Sequence, residues 1–119
     1  MQSTAVLVLG SGDNKGLLEL LFNMGLAPLV RGSIEGALER IRHERFAMVV
    51  VDRSGAEVDV LEFILNVRDI NVELPIVVVG RSDDRLDDQI LQAQFKTFLI
   101  GGLDTADQLA RELDQVLDA

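Results

Sequence analysis

The chain has 119 residues, a net charge of −9, an apolar content of 48% and no cysteine. This length suits one domain, and the apolar content is sufficient for a buried core. The absence of cysteine excludes disulfides and thiolate metal sites, and no apolar run is long enough to cross a membrane. The acidic charge disfavours direct binding to nucleic acid or to anionic lipid. The N-terminus lacks the basic start of a secretory signal, and the absence of cysteine suits a cytoplasmic protein, which is what we expect.

The first part of the chain predicts two strands and two helices. Residues 5–9 form an apolar run that a Gly-Ser-Gly segment closes, and a helix over 17–24 follows and stops at a glycine. A weaker strand is predicted over 28–31, and Ser33 is a suitable N-cap for the next helix. That helix has four apolar residues at helical spacing, namely Ile34, Ala37, Leu38 and Ile41.

The rest of the chain predicts three more strand–helix pairs. The strands cover residues 46–52, 75–79 and 97–100, and the last helix begins with a capping-box pattern at Thr105. Each helix has a set of apolar residues that we expect to be buried. These are Leu61, Ile64, Leu65 and Val67 in the first, Leu86, Ile90, Leu91 and Ala93 in the second, and Leu109, Leu113, Val116 and Leu117 in the third.

The strands are continuous apolar runs, which is typical of parallel strands that are buried on both faces. Strict alternation of strand and helix predicts right-handed crossovers and helices on both faces of one sheet. We therefore predict an α/β protein with a doubly wound, five-stranded parallel sheet. Asp52 ends the third strand, at the edge where open α/β sheets bind ligands and carry out chemistry.

Three segments near Asp52, residues 46–52, 59–62 and 74–79, together resemble the receiver domain of bacterial response regulators. The resemblance extends over nearly the whole chain. It implies a flavodoxin-like (βα)5 fold with the strand order 2-1-3-4-5, and it makes Asp52 the equivalent of the phosphoacceptor. It also implies that residues 1–119 form one receiver-like domain, which can be the N-terminal domain of a longer regulator.

Other functional positions of the family differ in this sequence. Receivers have an acidic pair for Mg²⁺ after strand one, a Thr or Ser after strand four and a Lys-Pro after strand five. The matching positions here are Gly10-Ser11, Gly80 and Gly101-Gly102, and Asp13 lies too far along the chain to match the pair. Phosphoryl transfer to a carboxylate needs cations that neutralise the developing charge. We therefore predict no phosphorylation of Asp52, no metal, no cofactor and no enzymatic activity.

Two arginines are candidates to pair with Asp52. Buried carboxylates are usually paired, and Arg53 and Arg81 leave strand ends at the edge where Asp52 lies, so we predict a fixed ion pair of Asp52 with one of them.

Receivers often dimerise through the fourth helix, the fifth strand and the fifth helix. By resemblance, the predicted interaction face consists of Leu91, Phe98, Ala106 and Leu109, with Phe98 in the place of the family's switch aromatic.

The sequence thus predicts a degenerate receiver, or pseudo-receiver, of a two-component signal transduction system. It would act by phosphorylation-independent contact with a protein partner, an attached output domain or a second copy in a homodimer, with transcription control as the output. Two alternatives stay open. One is a true phosphoacceptor at Asp52, and the other is a small-ligand or nucleotide-binding domain that uses glycine-rich loops such as residues 10–16.

Overall fold

The computed structural model describes residues 4–10, 15–53, 59–80, 85–100 and 106–118. The strands are β1 (Ala5–Leu9), β2 (Ala27–Arg31), β3 (Met48–Asp52), β4 (Ile76–Val79) and β5 (Thr97–Ile100). The helices are α1 (Lys15–Asn23), α2 (Ile34–His43), α3 (Val60–Ile70), α4 (Arg85–Gln92) and α5 (Ala106–Asp118). All strand pairs are parallel, and the order in the sheet is β2-β1-β3-β4-β5. The predicted fold class and strand order are confirmed.

The local signals at the ends of several helices act as the sequence predicts. Ser33 caps α2, because its hydroxyl accepts a hydrogen bond from the backbone N–H of Gly36 at 3.1 Å. Asp59, which was not predicted as a cap, caps α3 in the same way through the N–H of Glu62 at 3.0 Å. Gly25 follows α1 with a φ of +82°, a conformation that favours glycine and ends the helix. Thr105, the predicted cap of α5, lies outside the described residues.

Two apolar cores cover the two faces of the sheet. One lies against α2, α3 and α4 and includes Val49, Val51, Phe63, Ile64 and Leu91. The other lies against α1 and α5 and includes Val8, Val50, Leu21, Leu109 and Leu113. Successive residues of a strand therefore point to opposite cores, as the pleat requires. Among the described residues, no helix combines the length and the hydropathy of a membrane span.

Two predicted helix faces need correction. The buried stripe of α3 consists of Val60, Phe63, Ile64 and Val67, whereas Leu65 is exposed and Leu61 is half-buried. The stripe has i, i+3, i+4 and i+7 spacing, and Leu65 falls outside it. On α4, the predicted anchors Leu86 and Ile90 are 66% and 39% exposed, and the adjacent Ala93 is exposed as well.

Arg68 on α3 joins two loops at the N-terminal edge of the sheet. Its guanidinium donates hydrogen bonds to the carbonyl oxygens of Asn71 and Leu74 at 3.2 and 2.7 Å, and to those of Phe95 and Lys96 at 2.6 and 3.2 Å. Burial lowers the pKa of Arg68, and the nearby carboxylate of Glu73 partly opposes this shift. One side chain thus fixes the loop before β4 to the loop before β5.

Candidate functional site

Asp52 lies in the middle of the C-terminal edge of the sheet. It is the last residue of β3 and is aligned with Val79 of β4, and its side chain is 3% exposed. A carboxylate is rarely buried to this extent, because desolvation of its charge is costly. Its position at this edge agrees with the position that the resemblance to receivers implies for the phosphoacceptor.

Gly10 is the neighbour of Asp52 on the β1 side. Its backbone N–H donates to the carbonyl oxygen of Arg31 at 3.0 Å, which extends the pairing of β1 with β2. A Cβ atom at position 10 would lie 3.3 Å from Asp52 Cβ and 3.7 Å from Asp52 Oδ2. A side chain at this position would therefore stand directly against the carboxylate. The sequence provides no side-chain oxygen here, where the receivers' acidic pair begins.

Gly80 is the corresponding residue at the end of β4. Its N–H donates to the carbonyl oxygen of Ile100 at 3.0 Å, and its φ is +118°. A Cβ atom would lie 3.3 Å from Arg53 Cβ. A Thr or Ser at this position, as receivers have, would be strained in this conformation and would press on Arg53. Position 80 therefore differs from the receiver pattern in its backbone conformation as well as in its side chain.

Arg53 makes two contacts across the end of β4. Its Nη1 donates to Asp88 Oδ1 on α4 at 2.8 Å, and its Nη2 donates to the carbonyl oxygen of Gly80 at 3.1 Å. The two side chains of the ion pair are 11% and 33% exposed, for Arg53 and Asp88 respectively. The backbone N–H of Arg53 also bonds to the carbonyl oxygen of Val79 at 2.9 Å. We call these contacts of Arg53 with Asp88 and Gly80 the Arg53 bridge.

The predicted ion pair of Asp52 with Arg53 is wrong. The guanidinium of Arg53 forms its ion pair with Asp88, because neighbouring residues in extended backbone point to opposite faces of a sheet. Arg53 follows Val51 toward the core of α2, α3 and α4, whereas Asp52 follows Val50 toward the core of α1 and α5. Arg81, the other predicted partner of Asp52, lies outside the described residues.

The described residues do not fit a magnesium site of the receiver type. Mg²⁺ prefers several hard oxygen ligands in octahedral geometry. Next to Asp52, position 10 offers no side-chain oxygen, and Asp88, which contacts Arg53 on the other side of the sheet, is engaged in an ion pair. Within the described ranges, no group of three Asp, Glu or His side chains is arranged to hold a metal ion. Ser11 and Asp13 lie outside those ranges.

The predicted interaction face does not form one surface. Leu91 and Leu109 are 0% and 3% exposed, and they belong to the two different cores on opposite faces of the sheet. Both are therefore unavailable as surface contacts, which corrects the prediction for these two residues. Phe98 is half-buried and packs against the core of α1 and α5. The surroundings of Ala106 lie outside the part of the chain that the structure describes.

Other apolar groups are accessible near these elements. Leu86 and Ile90 lie one helical turn apart on α4 and are exposed. A groove of about 190 Å³ lies between β5, which is an edge strand, and α5, and its walls include Phe98, Leu99 and Glu112. The i, i+4 spacing of Leu86 and Ile90 was visible in the sequence. What the sequence did not reveal is that Leu91, and not these two residues, fixes α4 to the core.

The sequence matches no protein-family model and no curated protein. Similar solved structures include chemotaxis protein CheY4 of Vibrio cholerae, with a TM-score of 0.80, 18% identity and coverage of 98% of this chain and 99% of that chain. A two-component response regulator from Clostridium difficile gives a TM-score of 0.82 at 14% identity, covering 98% of this chain and 97% of that one.

The receiver domain of the sensor histidine kinase PA1611 from Pseudomonas aeruginosa is also similar. Its TM-score is 0.80 at 16% identity, with coverage of 98% of this chain and 99% of that chain. That receiver has a magnesium ion coordinated in its active-site cleft. At these identities the likeness shows the fold alone. The chain thus has the fold of CheY-like receiver domains, as the sequence predicted.

Proposed function

We propose that this protein is a degenerate receiver that transmits a signal by protein–protein contact, without phosphorylation of Asp52. The observation that carries the proposal is the pair of glycines, Gly10 and Gly80, at the two strand ends that flank β3. They stand where receivers have a metal ligand and a hydroxyl. The proposed setting is bacterial two-component signalling in the cytoplasm, with transcription control as the output.

The physical reason is the charge that develops during transfer of a phosphoryl group to a carboxylate. That transfer brings anions together, and catalysis consists mainly of positioning and of charge neutralisation by cations. Among the described residues, the cationic side chain nearest to Asp52 in sequence is that of Arg53. Its two terminal nitrogens donate hydrogen bonds to the carboxylate of Asp88 and to the carbonyl oxygen of Gly80. Among the described residues, the positions of the metal ligand and of the hydroxyl are therefore glycines, and the guanidinium of Arg53 is engaged elsewhere.

The alternative of a true phosphoacceptor has one observation in its favour, the location of Asp52 at the C-terminal edge of the sheet. Incubation with acetyl phosphate and Mg²⁺, followed by intact-mass measurement, separates the two functions. We expect an unchanged mass, with a receiver that contains the acidic pair as the positive control. An added phosphoryl group that disappears in Asp52→Asn would refute the proposed function and establish the alternative.

The proposed partner surface combines α4 with the groove between β5 and α5. Leu86 and Ile90 offer apolar area on α4, and apolar groups that are removed from water at the centre of a contact provide most of its stability. Sedimentation of Leu86→Asp, compared with wild type, tests this surface for self-association. Leu65→Asp is the matched control, because Leu65 is an exposed leucine on a different helix. Equal loss in both variants would place the contact elsewhere.

A further inference from the structure

We propose that the Arg53 bridge is a conformational latch that holds α4 on the C-terminal edge of the sheet and controls how Leu86 and Ile90 are presented. The inference concerns the position of α4 and does not depend on whether Asp52 is phosphorylated. It rests on four features: the bonds of Arg53, the weak apolar attachment of α4, the unpartnered Nε of Arg53, and the space that Gly80 provides.

The bonds of Arg53 connect three parts of the fold. The backbone of Arg53 continues β3, its Nη2 bonds to the end of β4, and its Nη1 bonds to α4 through Asp88. Hydrogen bonds between ionised groups are about twice as strong as neutral ones, and burial of the Arg53 side chain limits their screening by water. Asp88 is therefore the polar anchor of α4.

The apolar attachment of α4 is small. The helix has eight residues, and Leu91 is the buried one among its described side chains. A helix of this length is marginal by itself in water, so its stability comes from contacts with the rest of the domain. Loss of the polar anchor should consequently release α4 before it affects the central strands, whose side chains are buried on both faces.

The latch can also open, because its closed state, in which the ion pair is formed, leaves one buried hydrogen-bond donor without a partner. Arg53 Nε is buried and has no hydrogen-bond partner among the described residues. Burial of an unsatisfied donor opposes the closed state and offsets part of the gain from the ion pair. The one-third exposure of Asp88 leaves that carboxylate accessible to solvent and counter-ions. An interaction that competes for Asp88 would therefore shift the position of α4 to the extent that it favours the open state.

Gly80 makes the closed position possible. The side chain of Arg53 passes beside Gly80, where a Cβ would come within 3.3 Å of Arg53 Cβ. Gly80 replaces the family's hydroxyl residue, and the side chain of Arg53 crosses it. The position of Arg53 therefore depends on the glycine. In this chain, the ion pair of Arg53 with Asp88 joins the strand ends to α4.

Hydrogen exchange on the intact protein tests the latch through Arg53→Met and Asp88→Asn. Because the ion pair is lost in each case, we expect exchange of the α4 amides to accelerate about tenfold, with β1 and β3 unchanged. The double variant should exchange no faster than Arg53→Met alone, which already removes both bonds of Arg53. Lys96→Met removes the Lys96–Glu73 ion pair at the opposite edge and is the control. Unchanged α4 exchange, or equal acceleration in the central strands, would overturn the proposal.

A distance measurement covers the case in which the α4 amides already exchange too fast to compare. The chain has no cysteine, so spin labels can be placed uniquely at Gln92→Cys on α4 and Glu35→Cys on α2, both exposed positions. We expect one narrow distance distribution with Arg53 present and a broadened one in Arg53→Met. High salt should broaden it with Arg53 present and have no effect in Arg53→Met, because salt screens the exposed side of the pair. Identical distributions in both proteins would exclude a latch.

Discussion

Arg53 and Asp88 lie 35 positions apart in the sequence and form an ion pair of 2.8 Å that crosses the end of β4. This pair connects the strand that ends in the buried Asp52 with a helix that has one buried apolar side chain among those described. The contact places a cation next to the family's phosphoacceptor position but directs it away from the carboxylate. Neither partner of the ion pair belongs to the positions that define a receiver.

Substitution of Gly80 by Ala should destabilise the protein by about 2 kcal/mol. Its φ of +118° is unfavourable for any residue with a Cβ, and the added methyl group would press on Arg53. Urea unfolding monitored by circular dichroism measures the change. Gly16→Ala is the control, because Gly16 is the second residue of α1 and a methyl group there would meet no atom of the described residues within 4 Å, so it should stabilise the protein by at most about 0.5–1 kcal/mol. Equal effects of the two changes would contradict this explanation.

Introduction of an acidic residue at Gly10 should create repulsion with Asp52. A side chain at this position begins 3.3 Å from Asp52 Cβ, so Gly10→Asp brings two carboxylates together. We expect Gly10→Asp to be less stable than the similarly sized Gly10→Asn by about 1–2 kcal/mol at pH 7, because like charges disfavour joint ionisation. Addition of Mg²⁺ should reduce the difference, since a cation neutralises the pair. Equal stabilities at all Mg²⁺ concentrations would show that the two carboxylates do not interact.

Replacement of Arg68 by Ala should reduce the free energy of unfolding by about 2–3 kcal/mol. Four carbonyl oxygens from two loops would lose their common donor, and water would replace only part of these bonds. Arg68→Lys should recover less than half of the loss, because an ammonium group lacks the planar fork of a guanidinium. Arg42→Ala, which removes an exposed pair with Glu39, should change the stability by less than about 0.5 kcal/mol.

The sheet and its order could be predicted because burial on both faces leaves a strong signal in the sequence. Runs such as residues 76–79 contain no polar residue, and each is followed along the chain by a helix. The position of Asp52 followed from the same reasoning. The Arg53 bridge could not be predicted, because Asp88 reaches Arg53 only after α4 has docked on the sheet. The location of Arg53 at the same edge of the sheet suggested a pair with Asp52, which the pleat of the strand prevents.

The interaction face was predicted less well, since family correspondence selects a position but does not determine its exposure. On a helix with both Ile90 and Leu91, a rotation of one residue decides which side chain is buried. The structure buries Leu91 completely and leaves Ile90 partly exposed. Experiments on association therefore need residues that are chosen by exposure.

Leu91→Ala should destabilise the domain by about 2–5 kcal/mol, because it leaves a cavity in a fully packed site. Leu86→Ala on the same helix should change the stability by less than about 0.5 kcal/mol, since the side chain is largely in water. Chemical denaturation of both variants checks the difference. Small domains are only about 5–15 kcal/mol stable, so reduced association of Leu91→Ala would reflect loss of native protein. If instead Leu86→Ala proved as destabilising as Leu91→Ala, α4 would be docked through its other face, and the contact of Asp88 with Arg53 would have to change with it.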